Sequence, residues 1–178
     1  LHGLNIQKIP GVEFMLDLVK IAEEKSLRIG LIGGRDGLAV KTLECLKKIH
    51  PMLAGWAIDG PEVKITNNKL QLTINQIKEI EESIAKENID ILFVALGHPK
   101  QEYIIDVLCK QLTMNNYQSP IILMAVGGTF EYISGKVPRA PQWMRNMGLE
   151  WLFRLIREPW RVGRQLRGAE FFWKVLNS

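Results

Sequence analysis

Four short apolar runs punctuate this chain, at Arg28–Ile32, Leu53–Ile58, Ile89–Leu96 and Pro120–Val126. Each is nearly continuous in hydrophobic residues rather than alternating, the pattern of a strand buried on both faces. Between them the apolar spacing changes to the helical period. Val12–Glu24 carries Phe14, Leu18, Ile21 and Ala22 on one side, and Leu38–Ile49, Thr73–Lys86 and Pro99–Leu112 follow the same rule. The last of these opens on a proline, which suits a first helical turn. Strand alternating with helix predicts an α/β fold, a parallel sheet covered by helices on both faces. Gly60–Leu72, with Asn67 and Asn68, fits neither period and reads as a surface excursion.

Composition narrows this little. A chain of 178 residues with 47% hydrophobic and 24% charged residues is an ordinary globular one, long enough for a real core. The longest apolar runs fall far short of the roughly 20 residues needed to cross a bilayer. Cys45 and Cys109 lie apart inside helical patterns and are expected to be buried thiols of a reducing compartment.

Charge changes the picture more. Residues 139–178 hold seven Arg, one Lys and three Glu, a net of +5, whereas the whole chain is +4. Four of the five Trp (Trp143, Trp151, Trp160 and Trp173) lie in the same stretch. The chain thus divides into a near-neutral body, 1–138, and a basic, aromatic helical appendage, 139–178. Arg154, Arg157, Arg161 and Arg164 are spaced three, four and three apart, so a continuous helix would align them. Pro159 breaks that line, ending one helix near Arg157 and starting another. Leu152, Leu155, Ile156, Phe171, Phe172 and Val175 supply an apolar side. Against a diphosphate each charge-assisted bond is worth roughly 1.5–3 kcal/mol. Against an anionic leaflet each basic residue adds only about 1 kcal/mol. Nucleic acid is a poorer partner, because the body is slightly acidic and the aromatics are committed to amphipathic helices.

Every predicted strand ends in a glycine-bearing turn: Gly33–Gly37, Asp59–Pro61, Gly97–Glu102 and Gly127–Glu131. In a parallel sheet these four share the carboxyl edge, where open α/β sheets bind ligands. Glycine admits close backbone approach, and the helix N-termini that follow offer N–H groups to phosphate. A nucleotide or phosphorylated ligand is the expectation. The dinucleotide fingerprint is a poor match, since Ile32, Gly34 and Gly37 stand where three glycines are needed. Asp59 does stand where such folds hold a ribose, so an NAD-type oxidoreductase is one alternative. A non-catalytic membrane-surface module is another. Gln101 and Glu102, in the first turn after Pro99, suit helix capping by spacing alone. His98 is a lone loop imidazole. No metal-ligand spacing and no nucleophile elbow occur.

Five motifs stand together in order. They are Arg28-Ile-Gly-Leu-Ile-Gly33-Gly34, Leu96-Gly97-His98-Pro99-Lys100-Gln101-Glu102, Val126-Gly127-Gly128-Thr129-Phe130, Gly135-Lys-Val-Pro-Arg139-Ala140-Pro141, and Gly148-Leu149-Glu150-Trp151-Leu-Phe-Arg154 with Glu158-Pro159-Trp160-Arg161. With them the chain resembles the WecG/TagA/CpsF glycosyltransferases (glycosyltransferase family 26) over nearly its whole length. The resemblance implies a Rossmann-like body and an inverting, metal-independent transferase of bacterial envelope polysaccharide or teichoic acid synthesis. Such enzymes move N-acetylmannosamine, or a related sugar, from a UDP donor to a polyprenyl-diphosphate-linked sugar, and need no cofactor beyond that donor substrate. It implies a peripheral place on the inner face of the cell membrane, with the appendage docking over the active site and touching the lipid. Arg154, Arg161 and Arg164 match arginines that meet a diphosphate, and Gln101 matches a residue near the reacting sugars. The rim residues Gly33, Gly34, Gly60, Gly97, Lys100, Gly127 and Gly128 would then hold the UDP-sugar. Glu131 stands where the family carries an aspartate that contacts uracil, one methylene further out. Lys8 replaces a common arginine, exchanging a bidentate contact for a point charge. The family's general-base aspartate, with a threonine and an asparagine, belongs to a segment before Leu1–Phe14, so this chain is expected to be an inactive C-terminal portion. An exposed edge of a shortened sheet would favour self-association.

Overall fold

The computed structural model describes residues 10–66, 69–71, 74–115 and 119–159. Helix α1 (Gly11–Glu24) precedes strand β1 (Arg28–Gly33), α2 (Leu38–Ile49) and β2 (Ala54–Ile58). A two-stranded hairpin, β3 (Lys64–Thr66) and β4 (Lys69–Gln71), leads to α3 (Ile74–Glu87), β5 (Ile91–Ala95), α4 (Lys100–Met114) and β6 (Ile122–Ala125). Three short helices follow, α5 (Thr129–Ile133), α6 (Gln142–Asn146) and α7 (Glu150–Arg157). The chain forms two compact units, Leu1–Val137 and Pro138–Ser178.

In the first unit β2, β1, β5 and β6 form one parallel sheet in that order. Crossover helices cover both of its faces, a Rossmann-like α/β arrangement. Side chains alternate across the central strands. Ile29, Leu31, Ile91 and Phe93 face Met15, Val19 and Ala22 of α1, Leu43 and Leu46 of α2, and Phe130 of α5. Ile32, Leu92 and Val94 face Ile80 and Ile84 of α3, with Ile104, Leu108 and Leu112 of α4. Burying each such side chain contributes about 1.5–3 kcal/mol, so both layers are needed to hold the sheet. This double burial is why the strands read as unbroken apolar runs. Thr42, fully buried on α2, brings its hydroxyl to 2.8 Å from the Leu38 carbonyl and 3.3 Å from that of Phe130, which seats α5 against α2.

Three features depart from the sequence expectations. The excursion after β2 contains the β3–β4 hairpin, with Ile65 opposite Leu70. Three residues per strand are too few for a period of two to stand out. Cys45 is half-buried and Cys109 exposed, so neither thiol is deeply buried. Pro99 caps α4 instead of occupying its first turn, and the His98–Pro99 bond is cis. The expected second appendage helix, from Pro159 on, lies outside the described residues except for its first residue.

Below the sheet's amino edge, Glu23 at the end of α1 accepts hydrogen bonds from His50 Nδ1 at 2.7 Å and from the Met52 amide at 3.1 Å. The His50 hydrogen bond is the main cause that holds the Glu23 carboxyl below its ordinary value of 4.5, and burial opposes it. A carboxyl depressed on folding stabilises the fold above its unfolded value and loses that contribution as pH falls through its folded one. Urea midpoints measured from pH 7 downward are therefore expected to fall below about pH 4.5, and Glu23→Gln to flatten part of that slope.

Candidate active site

The carboxyl ends of the four parallel strands converge on one rim, and hydrogen bonds sew their turns together. Gly33 ends β1 at φ 144°, where an added Cβ would lie 2.6 Å from the carbonyl carbon of Ala95, so only glycine lets β1 and β5 approach this closely. Gly34 donates to the Ala95 carbonyl at 3.2 Å and accepts from Gly60 at 3.2 Å. Asp59 Oδ2 accepts the N–H of Gly37 at 2.9 Å. The second turn is thereby fastened to the first at two points.

The third and fourth turns are joined by one side chain. Gln101 Oε1 accepts the N–H of Gly97 at 3.2 Å and that of Gly127 at 3.0 Å. Gly97 and Gly127 have φ of 73° and 54°, the left-handed conformation that turns both amides towards this oxygen. Gln101 Nε2 donates to Glu102 Oε1 at 3.0 Å. The helix capping expected of Gln101 is not what it does: no described side chain caps α4, and Gln101 instead reaches back to the turn before its helix and across to the next strand's. Burial opposes ionisation of Glu102, but hydrogen bonds from Gln101, its own backbone and His98 outweigh that and hold the carboxyl below its ordinary value. His98, otherwise exposed, sits 3.5 Å from the same carboxylate oxygen.

The remaining body residues fall on the same rim. Lys100 is the first residue of α4, Gly128 caps α5, and Glu131 lies in the first turn of α5. The Thr129 hydroxyl closes the fourth turn on the Val126 carbonyl at 2.6 Å. Among the described residues no three potential metal ligands gather.

The second unit places Arg154 on α7, where its Nε meets Glu158 Oε2 at 2.8 Å. Arg139 lies 3.6 Å from Glu150, and the Arg157 guanidinium stands 5.5 Å from the centre of the Phe153 ring. Trp143, Met147, Trp151 and Ile156 are each more than half exposed. Arg161, Arg164 and Lys8 lie outside the described residues. Two rim residues escaped the sequence reading as structural elements, the Asp59 bracket and the Glu102 grip. Each depends on which turn lies beside which.

The model of the Glycosyl transferase WecG/TagA/CpsF family matches residues 1–178, and the chain belongs to that family. Among curated proteins it is similar to an N-acetylglucosaminyldiphosphoundecaprenol N-acetyl-beta-D-mannosaminyltransferase of Bacillus subtilis, 30% identical over 176 residues, 96% of this chain and 60% of the relative. A protein of the same name from Bacillus spizizenii is 28% identical over 171 residues, 95% of this chain and 59% of that one. The chain therefore spans about 60% of the length of the curated relatives it matches.

Proposed function

We propose that the protein of which this chain is part transfers N-acetylmannosamine, or a close analogue, from a UDP donor to a polyprenyl-diphosphate-linked N-acetylglucosamine. The observation that carries this is the clasp at Gln101, which gathers the third and fourth turns onto the carboxyl rim, in a chain of a glycosyl transferase family. The acceptor hydroxyl oxygen bonds to the anomeric carbon from the face opposite UDP, the bond to the β-phosphate oxygen breaks, and configuration inverts. UDP leaves with the electron pair, and the hydroxyl proton passes to a carboxylate base. Asp59 is a poor candidate for that base, because one of its oxygens is committed to Gly37. Rim N–H groups, Lys100 and the tail arginines would neutralise the departing diphosphate in place of a metal. Glu131 would meet the uracil. Arg154, whose Nε meets Glu158, would be one of those arginines.

The exposed Trp143, Met147, Trp151 and Ile156, in a unit rich in arginine, support contact with an anionic leaflet, where the acceptor's lipid would be anchored. No helix among the described residues is long and apolar enough to cross a membrane.

The dinucleotide alternative meets a physical obstacle at α2. Gly37's N–H is taken by Asp59, and Leu38's by the Arg35 carbonyl at 3.2 Å. A pyrophosphate would have to displace a carboxylate from the helix terminus where such folds seat it. Thermal unfolding with each ligand separates the two. At a hundredfold excess over its Kd a ligand stabilises by about 2.7 kcal/mol. UDP is expected to raise the midpoint by about 5–10 °C and NAD to leave it unmoved. The opposite order would overturn the transferase reading.

A further inference from the structure

Gln101 has a single valence left. Its Oε1 holds two backbone N–H groups, one for each lone pair, and one Nε2 hydrogen is held by Glu102. Two amide donors converging on one atom identify that atom as the oxygen, so the turns themselves set which way the amide faces. The second Nε2 hydrogen finds no acceptor among the described residues, on a side chain only 8% exposed. With Glu102 on the nitrogen the amide is held at both ends, by two N–H groups on its oxygen and by one carboxylate on its Nε2.

We propose that Glu102 is a positioning residue: by gripping the Gln101 amide it leaves that side chain as a one-donor probe for an uncharged oxygen of the transferred sugar. The proposal rests on the transferase reading above and adds what Gln101 recognises. Its oxygen is saturated, so Gln101 can donate to substrate but cannot accept from it. The partner is therefore an acceptor such as an acetamido carbonyl, a ring oxygen or a hydroxyl oxygen. A phosphate oxygen fits worse, because it would sit across one amide nitrogen from the Glu102 carboxylate, where like charges repel. His98 flanks the carboxylate from the solvent side and does not reach Gln101.

A glutamate in a first helical turn also serves the helix dipole, and a double-mutant cycle distinguishes the two roles. In the full-length protein, assayed with a UDP-sugar and a lipid-diphosphate acceptor, Glu102→Ala is expected to lower kcat/KM about tenfold. In a Gln101→Ala background the same change is expected to cost less than about twofold, since Glu102 acts through Gln101. Glu102→Gln, whose carbonyl still accepts from Nε2, is expected to bring the loss within about threefold. Equal losses in both backgrounds would overturn the proposal. An assay-free readout accompanies these: in amide NMR spectra of this chain, Glu102→Ala is expected to move the Gln101 side-chain pair more than any other side-chain amide. An unmoved Gln101 pair overturns the proposal whatever the activity. A wild-type protein that neither transfers sugar nor responds to UDP overturns the transferase reading and the sugar contact with it, and the Gln101 resonance then decides the grip alone.

Discussion

Gly33→Ala is expected to remove about 4 kcal/mol of stability, a large part of what a domain of this size holds. Gly33 sits at φ 144°, and an added Cβ would lie 2.6 Å from the carbonyl carbon and 2.9 Å from the Cα of Ala95. These are backbone atoms in the neighbouring strand, so no side chain can swing aside to make room. The alanine has to leave its backbone conformation or push β1 from β5, and β1 is the strand that pairs with both β2 and β5. Urea titration followed by far-UV circular dichroism measures the loss. A change below about 1 kcal/mol would mean that the strands separate far more easily than their register implies.

Gln101→Ala is expected to act mainly on turnover, lowering it about a hundredfold while costing about 2 kcal/mol of stability. The substitution leaves the N–H groups of Gly97 and Gly127 without their shared acceptor and removes the only described side chain that joins these two turns. Water reaches part of the gap, which limits the folding penalty. The geometry of the rim has no such remedy, since both glycines lose the group that aims them. Gln101→Glu makes an informative contrast. Its carboxylate accepts from both glycines, yet it cannot donate to Glu102 and sets a second negative charge beside it. Stability below wild type, from the repulsion between the two carboxylates, with activity as poor as in the alanine variant is the expected result, from denaturation and steady-state kinetics on the same preparations.

How much of this was legible in the sequence follows from what each feature depends on. The predicted helix Leu38–Ile49 has the observed bounds, and the four sheet strands lie within a few residues of their apolar runs. Burial on both faces wrote the runs of β1 and β5, and the half-buried edge strands β2 and β6 are apolar enough to follow them, so a one-dimensional pattern suffices to find all four. The β3–β4 hairpin left no such trace, because its strands are three residues long. The four glycine turns were legible as a rim for the same topological reason as the strands. Their fastenings were not. The contact from Asp59 to Gly37 spans 22 residues, and that from Gln101 to Gly127 spans 26. Both exist only because the strand order is β2-β1-β5-β6, which apolar patterning does not encode. Arg154 shows a different limit. The resemblance set it among diphosphate-binding arginines, while Glu158, four residues on, was an equally visible local partner and meets its Nε.

With Asp59 lodged at the head of α2, that corner of the rim carries its own resident anion. Sulfate, inorganic phosphate and other crowded negative solutes should be turned away from it, even though a glycine turn leading into a helix looks like an invitation. Any attempt to re-engineer this scaffold for pyrophosphate-bearing coenzymes would have to evict that aspartate before altering a single glycine.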